Sequence, residues 1–264
     1  VEKVVLDDRM PMPKYYLVHW GSSLTSAKRD IVLDWIRNER IAMYDDGLPE
    51  SRAAEPVRPV EVATDIDAAK AALGFALFHD PRLSVDNTVS CASCHELSTA
   101  GVDNHQYSHG VDDQVGGVNA PTVYNAVYNF VQFWDGRAKT LADQAAGPPL
   151  NPIEMASESF DQIIAKLAAD KDFVKAFNAV YPDGLTEANI TNAIEEFERT
   201  LITPNSRFDK WLRGDDSALT AQELNGYELF KKYDCATCHV GPNLGGQSYE
   251  LMGLRKHYFE DRGM

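Results

Sequence analysis

The chain has 264 residues, and its 25 Lys and Arg against 40 Asp and Glu give a formal net charge of −15. Its apolar share of 44 % is enough for one large core or two ordinary ones and excludes an intrinsically disordered chain. No stretch approaches the roughly 18 consecutive apolar residues of a membrane-spanning helix. The acidic balance argues against a nucleic-acid partner, which needs a basic face, and is compatible with attraction of a small basic protein.

The first two predicted segments are an N-terminal extension, residues 1–50, and a linker, residues 51–63. In the extension, apolar residues that include Ile31 and Trp35 recur at helical spacing, which predicts an amphipathic helix. The linker is indicated by its prolines and alternating charges.

The third predicted segment, residues 64–205, begins with a helix over Ala68–Phe78. This helix leads to the sequence Cys-Ala-Ser-Cys-His at residues 91–95. Residues 102–150 are rich in Gly, Asn, Pro and aromatic residues and show little periodicity. They predict ordered loops and short helices that surround a ligand.

Two more helices are predicted before residue 205. Ser159 and Gln162 form a capping-box pattern at the start of one of them, and its apolar face continues to Phe177. Apolar residues from Ile190 to Leu201 recur at helical spacing and predict the other.

The last predicted segment, residues 206–264, again contains a helix followed by a Cys-x-x-Cys-His sequence. Thr220 and Glu223 form a second capping box, and a helix from there leads to Cys-Ala-Thr-Cys-His at residues 235–239. Similar strings, Gly-Phe-Ala-Leu-Phe and Gly-Tyr-Glu-Leu-Phe, precede the two motifs at residues 74–78 and 226–230.

The two C-x-x-C-H motifs are typical of covalent c-type haem attachment. Two intervening residues let both thiols reach the vinyl groups at one edge of a porphyrin, and the adjacent histidine then ligates the iron from below. The proximal ligands are therefore predicted to be His95 and His239. Attachment of this kind takes place outside the bacterial cytoplasm, so we expect a periplasmic protein.

Other uses of the four cysteines fit the pattern less well. Zinc ribbons place their two Cys pairs much closer together than these motifs lie. Structural disulfides would not explain the histidine that follows each pair, and a thioredoxin-like site would need a βαβ context. The whole pattern predicts an all-α fold with two tandem cytochrome-c-like domains and an N-terminal helical extension.

Several further strings occur in one order along the chain. They are Leu77-Phe-His-Asp-Pro-Arg-Leu-Ser84, Ala120-Pro-Thr-Val123, Gln132-Phe-Trp-Asp-Gly-Arg-Ala138, Glu154-Met155, Phe197-Glu-Arg-Thr-Leu-Ile-Thr-Pro204, Phe208-Asp209 and Leu244-Gly-Gly-Gln247. With the two motifs, the chain resembles the bacterial dihaem cytochrome c peroxidases over roughly residues 70–252. The resemblance implies reduction of hydrogen peroxide to water. Electrons enter through the C-terminal haem, attached at Cys235 and Cys238, and pass to the N-terminal haem, attached at Cys91 and Cys94.

The resemblance also implies a switchable ligand at the N-terminal iron. His109 matches the family's His-Gly pair and lies in a glycine-rich loop, residues 101–117, whose composition favours movement. His105 is the nearest competitor for this role, and a solvated loop histidine is the alternative for both.

Glu154 matches the residue that moves a proton between the two oxygens of peroxide, and its alternative is an acid in the first turn of a helix. Trp134 matches the family's residue between the haems, and its alternative is an ordinary core aromatic. Asn119 matches a residue that gives an oxygen to calcium, and its alternative is a turn residue.

Two regions depart from the two-haem pattern. Residues near Met12 resemble the end of a small haem-binding domain found in three-haem members, in which Met12 or Met10 would ligate a third haem iron. The alternative is a proline-rich loop with Met as a packing residue. The family's distal methionine for the second haem comes later than Met252 or Met264, so we expect the C-terminal domain to be truncated.

The implied electron donor is a small protein, either a cytochrome c or a cupredoxin, or a quinol if a third haem is present. The resemblance also implies a homodimer, for which the sequence marks no interface. Two other functions stay open. One is a multihaem electron carrier without peroxidase activity, and the other is a dihaem oxidase that acts on a protein substrate.

Overall fold

The computed structural model describes Val5, Met10 and residues 13–16, 23–44, 47–249 and 251. The described part of the chain is helical and forms no β-strand, only isolated bridges between His109 and Val115 and between Gln132 and Ala138. The prediction of an all-α fold is therefore confirmed. Within the described residues, no helix is both long enough and apolar enough to cross a membrane.

The α-helices follow one another as a series of mostly short segments. They are α1 Pro13–Tyr16, α2 Ser26–Tyr44, α3 Ala68–Phe78, α4 Cys91–Cys94, α5 Leu141–Ala145, α6 Gly147–Leu150, α7 Phe160–Ala168, α8 Lys171–Val180, α9 Glu187–Glu198, α10 Arg207–Leu212 and α11 Ala221–Lys232. Short 3-10 helices cover Pro81–Leu83, Leu97–Thr99, Val111–Asp113, Ala126–Tyr128 and Cys235–Thr237.

The chain divides into two compact units. One combines Val1–Pro59 with Asn205–Leu229, and the other combines Val60–Pro204 with Phe230–Met264. Both C-x-x-C-H motifs belong to the second unit. The predicted boundaries at residues 50, 63 and 205 stay a prediction.

In the first unit, the segment before Pro59 packs on α10 and α11. The guanidinium of Arg52 lies 4.1 Å from the ring centroid of Trp211 and 2.7 Å from the Asp216 carboxylate. The Tyr227 hydroxyl donates to Glu55 at 2.7 Å. Part of the predicted linker, residues 51–63, is therefore fixed by side-chain contacts, which its prolines and charges did not predict.

The extension carries the predicted amphipathic helix as α2. Ile31 and Trp35 of this helix are 68 % and 59 % exposed, so these two apolar side chains face solvent in the described chain.

The core of the second unit is built on the packing of α3 against α9. Asp67 caps α3 by accepting from the backbone N–H groups of residues 69 and 70, and the helix has the bounds predicted from the sequence. A Cβ at Gly74 would lie 1.9 Å from the carbonyl oxygen of Ala193, so only glycine allows the two backbones to approach this closely.

The apolar face predicted from Ser159 to Phe177 is divided between two helices. Ser159 caps α7, whose regular hydrogen bonding ends at Ala168, and Asp170 then caps α8 by accepting from the N–H of Phe173. Because an aspartate at an N-cap satisfies donors that a continuous helix would use internally, the chain restarts at this residue. Both helices contribute buried apolar residues to the core.

Candidate functional site

The first C-x-x-C-H motif lies on a single helical turn. Ser90 and Ser93 form a reciprocal capping box around α4, so the turn that carries Cys91 and Cys94 is fixed at its start. Both cysteines are free thiols. At a spacing of three residues on a helix they lie on one face, as attachment to one porphyrin edge requires.

The histidine of this motif is oriented by the backbone. The Nδ1 of His95 lies 3.3 Å from the carbonyl oxygen of Gly101, and burial lowers the pKa of His95. A neutral imidazole that donates from Nδ1 to a carbonyl keeps Nε2 as its lone-pair donor, which is the usual arrangement of a metal-ligating histidine. His95 therefore fits the role of a proximal haem ligand.

The second motif repeats this arrangement on a different local structure. Cys235 begins a 3-10 helix, and the Nδ1 of His239 lies 2.7 Å from the carbonyl oxygen of Leu244. Cys235 and Cys238 are also free thiols. Both motifs thus present two thiols and one oriented imidazole, a donor set that fits a covalently attached haem.

The loop that carries His109 is held by backbone hydrogen bonds. The N–H of Gly110 donates to Gln114 at 2.8 Å, and the N–H of Gly116 donates to Ser108 at 2.9 Å. The Nδ1 of His109 lies 2.6 Å from an oxygen of Asp113, and the ring centroid of His105 is 5.8 Å away. The backbone of this loop is therefore more ordered than its glycine content predicts.

Glu154 lies in a turn that follows α6, so the alternative that placed it in the first turn of a helix is wrong. The side-chain amide of Asn151 donates to its Oε1 at 2.5 Å, and burial raises the pKa of Glu154. The charge of Arg137 acts against this rise. Burial raises the pKa of the Cys91 and Cys94 thiols, and the charge of Glu154 adds to the rise in each. Its carboxylate therefore lies within electrostatic reach of both attachment thiols.

The structure brings the His109 loop and the Glu154 turn together. The N–H of Val111 donates to the carbonyl oxygen of Glu154 at 2.9 Å, and the side chain of Gln114 donates to Pro152 at 2.9 Å. A Cβ at Gly110 would lie 2.2 Å from the carbonyl oxygen of Ile153. Gly110 is thus required by the close approach of the two segments, which gives a structural reason for the His-Gly pair.

Trp134 and Asn119 are connected to the same loop. The indole N–H of Trp134 donates to the backbone oxygen of Asn119 at 2.9 Å, and the side-chain amide of Asn119 donates to the backbone oxygen of His105 at 2.7 Å. Trp134 is 68 % exposed, so the alternative of a core aromatic is wrong for the described chain. Calcium binding by Asn119 stays a prediction.

The segment after the second motif packs along the loop that carries Trp134. The side chain of Asn243 donates to the backbone oxygen of Asn125 at 2.8 Å, and the N–H of Phe130 donates to Gly246 at 3.0 Å. The N–H of Asn125 also donates at 2.7 Å to Leu201, which belongs to the apolar cluster against which Cys91 packs, so residues 125–136 contact the surroundings of both motifs within one compact unit.

Met12, the residue proposed to ligate a third haem iron, lies outside the described residues. Met10, its competitor, is described and exposed.

Several polar residues near the site were not predicted. Asn151 precedes Glu154 by three residues and Asp113 follows His109 by four, and these short spacings are the signals that could have indicated them. Arg137 lies in a string that was recognised without a role. Glu198 is buried and its charge acts on the Cys91 thiol, and its charged neighbours in the sequence give no sign of that burial.

Comparison with known proteins places these features in a family. The sequence model described as "Di-haem cytochrome c peroxidase" matches residues 68–217, more than half of the chain. The chain belongs to the di-haem cytochrome c peroxidase family. A second model, described as "Haem-binding domain", matches residues 1–38, the region in which the sequence resembles the end of such a domain. Haem is the cofactor that membership of this family implies.

Two named relatives cover most of the chain. It is 55 % identical over 260 residues to cytochrome c peroxidase Ccp of Escherichia coli, covering 98 % of this chain and 56 % of that protein. It is 50 % identical over 209 residues to cytochrome c551 peroxidase of Nitrosomonas europaea, covering 78 % of this chain and 62 % of that protein. The chain thus spans between half and two thirds of the length of these relatives.

A solved structure shares the fold. It is a MauG-like protein associated with microbial copper homeostasis, with a TM-score of 0.63 and 30 % identity over 74 % of this chain and 61 % of that one.

Proposed function

We propose that this chain is the haem-bearing part of a peroxidase that reduces hydrogen peroxide to water. The observation that carries the proposal is the position of Glu154. Its half-buried carboxyl, with a raised pKa, belongs to a turn bonded to the His109 loop and acts electrostatically on both thiols of the first motif. An electron carrier without peroxidase activity has no need of such a carboxyl.

The haem groups are held by the two motifs in this proposal. Cys91 and Cys94 form thioether bonds to one haem c, and Cys235 and Cys238 form them to a second. His95 and His239 are the proximal ligands because each orients its Nε2 through a carbonyl bond at Nδ1. A haem held there would supply one-electron chemistry and an iron able to take the oxidant.

Glu154 moves the proton in the reaction. Its carboxylate accepts a proton from one oxygen of hydrogen peroxide and delivers it to the other, so that the distant oxygen leaves as water. Asn151 holds Oε1 of Glu154, which directs the other carboxylate oxygen toward the substrate. A raised pKa suits a group that must be deprotonated in one step and protonated in the next.

His109 controls access to the first iron in this proposal. His109 would hold the iron through Nε2 in one state, and in the other its side chain would be held by Asp113 through Nδ1, a contact that the described structure contains. A haem held by the second motif would take in electrons and pass them to a haem held by the first, and Trp134 lies on the loop that contacts the surroundings of both motifs. Asn119 binds a calcium ion through an oxygen.

The remaining parts of the proposal follow from the chemistry of the motifs and the resemblance. The protein works in the periplasm, where c-type haem is attached. Its donor is a small redox protein or, if Met12 ligates a third haem iron beside the haem-binding domain, a quinol. A homodimer is the proposed assembly.

The test compares Glu154→Gln with Glu158→Gln, a control that removes an exposed carboxyl four residues away. Both holoproteins are first checked for the absorption of thioether-linked haem, and peroxide turnover is then measured with a reduced donor. We expect Glu154→Gln to lose about 10²- to 10⁴-fold in turnover, the usual contribution of a positioned acid–base group, while Glu158→Gln keeps wild-type activity. Unchanged turnover in Glu154→Gln would remove the assigned role, and wild-type protein without turnover would favour an electron carrier.

A further inference from the structure

Glu198 is a buried acid that the proposed reaction does not use. It is the last residue of α9, it is 5 % exposed, and its Oε2 is fully buried without a hydrogen-bond partner in the described structure. A buried carboxylate that lacks both a counter-ion and a donor is costly, so such a group is normally neutral or has a specific role.

The surroundings of Glu198 place it at the first attachment motif. Phe197 precedes Glu198 on α9, and Leu201 follows it by three residues. Both belong to an apolar cluster with Phe78 and Val123, and Cys91 packs against this cluster. Burial and then the charge of Glu198 raise the pKa of the Cys91 thiol to about 12. The carboxyl is therefore electrostatically coupled to the atom that would carry the haem.

Other charged groups near Glu198 have partners elsewhere or carry the same sign. Glu195 on the same helix acts on Glu198 and, after burial, raises its pKa to about 8. The groups on the elements packed against α9 have other contacts. Lys70 lies over the Tyr181 ring, and His79 contacts the Phe75 carbonyl. Asp143 belongs to the cap of α5, and Arg199 pairs with Asp65 and Glu196.

We propose that Glu198 takes up one proton from solvent when the iron of the haem attached at Cys91 and Cys94 is reduced, and releases it when that iron is oxidised. The inference rests on the proposed haem attachment. In the balanced step, one electron from a reducing mediator converts Fe(III) to Fe(II), and one solvent proton converts the Glu198 carboxylate to the neutral acid. The physical reason is that a ferric haem has one more positive charge than a ferrous haem and stabilises the nearby carboxylate.

The sign of the effect on the haem potential follows directly. The extra positive charge of the ferric iron–porphyrin core lowers the pKa of Glu198, whereas the neutral ferrous core leaves it near the value of about 8 set by burial and Glu195. Between these two pKa values reduction is therefore accompanied by proton uptake, and the potential falls as the pH rises. Each unit of pH is a tenfold change in proton concentration, which corresponds to about 59 mV for a one-electron couple.

The experiment is a mediated redox titration of the holoprotein at a series of pH values on both sides of pH 8, for wild type, Glu198→Gln and Glu195→Gln. In wild type we expect one haem potential to fall by up to about 59 mV per pH unit below pH 8 and to level off above it. Glu198→Gln should lose this dependence and match the wild-type potential only at low pH, because glutamine mimics the neutral acid. Glu195→Gln, which removes a half-buried carboxyl from the same helix, should keep the dependence.

A second measurement uses infrared spectroscopy. The infrared difference spectrum between reduced and oxidised protein should show the carbonyl band of a protonated carboxylic acid that appears on reduction, and Glu198→Gln should lack it. An unchanged pH dependence in Glu198→Gln, or a wild-type spectrum without this band, would overturn the inference while leaving the peroxidase proposal in place. Protein that loses its haem on denaturation would instead refute the proposed attachment, and with it both proposals.

Discussion

Gly110 joins the two segments of the candidate site, and its replacement by alanine tests whether their close approach matters. The backbone of Gly110 has a φ of −96°, which alanine adopts without strain, so the effect of the change is steric. A Cβ would lie 2.2 Å from the Ile153 oxygen, 2.5 Å from the Glu154 oxygen and 2.8 Å from the Glu154 Cα. All three are backbone atoms, so no side-chain rotation relieves the contact.

The expected loss in the free energy of unfolding follows from the displacement that the alanine Cβ requires. Ordinary contact begins at 3.4 Å, so the Ile153 oxygen must move away by 3.4 − 2.2 = 1.2 Å. Such a movement breaks the hydrogen bond from Val111 to Glu154, worth about 1 kcal/mol, and overpacking adds about 1–3 kcal/mol. We expect Gly110→Ala to lower the free energy of unfolding by about 2–4 kcal/mol. A shift of about 1 Å in a catalytic group also costs about 10²-fold in turnover.

The assay pairs urea unfolding of the holoprotein with peroxide turnover, and Gly117→Ala is the matched control. Gly117 lies in the same loop, and a Cβ there meets no atom within 4 Å. The control should retain both stability and activity. If Gly110→Ala unfolds at the same urea concentration as Gly117→Ala and turns over peroxide as fast, the two segments are not held together as described.

Two further predictions concern His109 and Glu198. In His109→Ala, the haem of the first motif should be high-spin when both irons are ferric, whereas His105→Ala should match wild type. Absorption and electron paramagnetic resonance spectra measure the spin state. The reverse result would assign the switchable ligand to His105. For Glu198, the pKa of about 8 expected in the folded protein with reduced haem exceeds the value of about 4.3 in an unfolded chain, so unfolding of the reduced protein between pH 4.3 and pH 8 releases a proton. Between about pH 4.3 and about pH 8, the free energy of unfolding should therefore fall more steeply with pH in wild type than in Glu198→Gln. Urea titration of both proteins at each pH measures this difference. Parallel curves for the two proteins would contradict burial of this carboxyl.

The features that the sequence predicted well are those with local causes. The bounds of α3 depend on the Asp67 cap and on apolar spacing, and Thr220 and Glu223 form the predicted reciprocal cap at the start of α11. The C-x-x-C-H motifs are also local, because thioether attachment requires two cysteines and a histidine within five residues. Such patterns can be recognised without any knowledge of tertiary packing.

The features that the sequence did not predict depend on contacts between distant segments. The burial of Glu198 results from packing of α9 on α3 and on the first motif, and adjacent acidic residues conceal it in the sequence. The fixed position of Arg52 depends on Trp211 and Asp216, more than 150 residues away, so composition alone indicated a linker. The role of Asn151 depends on the turn geometry that brings its amide to Glu154.

The hydrogen bonds from Asn243 and Phe130 have a consequence for electron movement between the two attachment turns. Because they join the stretch after His239 to residues 125–130 inside one folded unit, the gap between the two motifs is set when that unit folds. No hinge or diffusive docking is required to set this gap. Electron transfer between haems held at the two motifs would then cross a gap that folding alone has fixed.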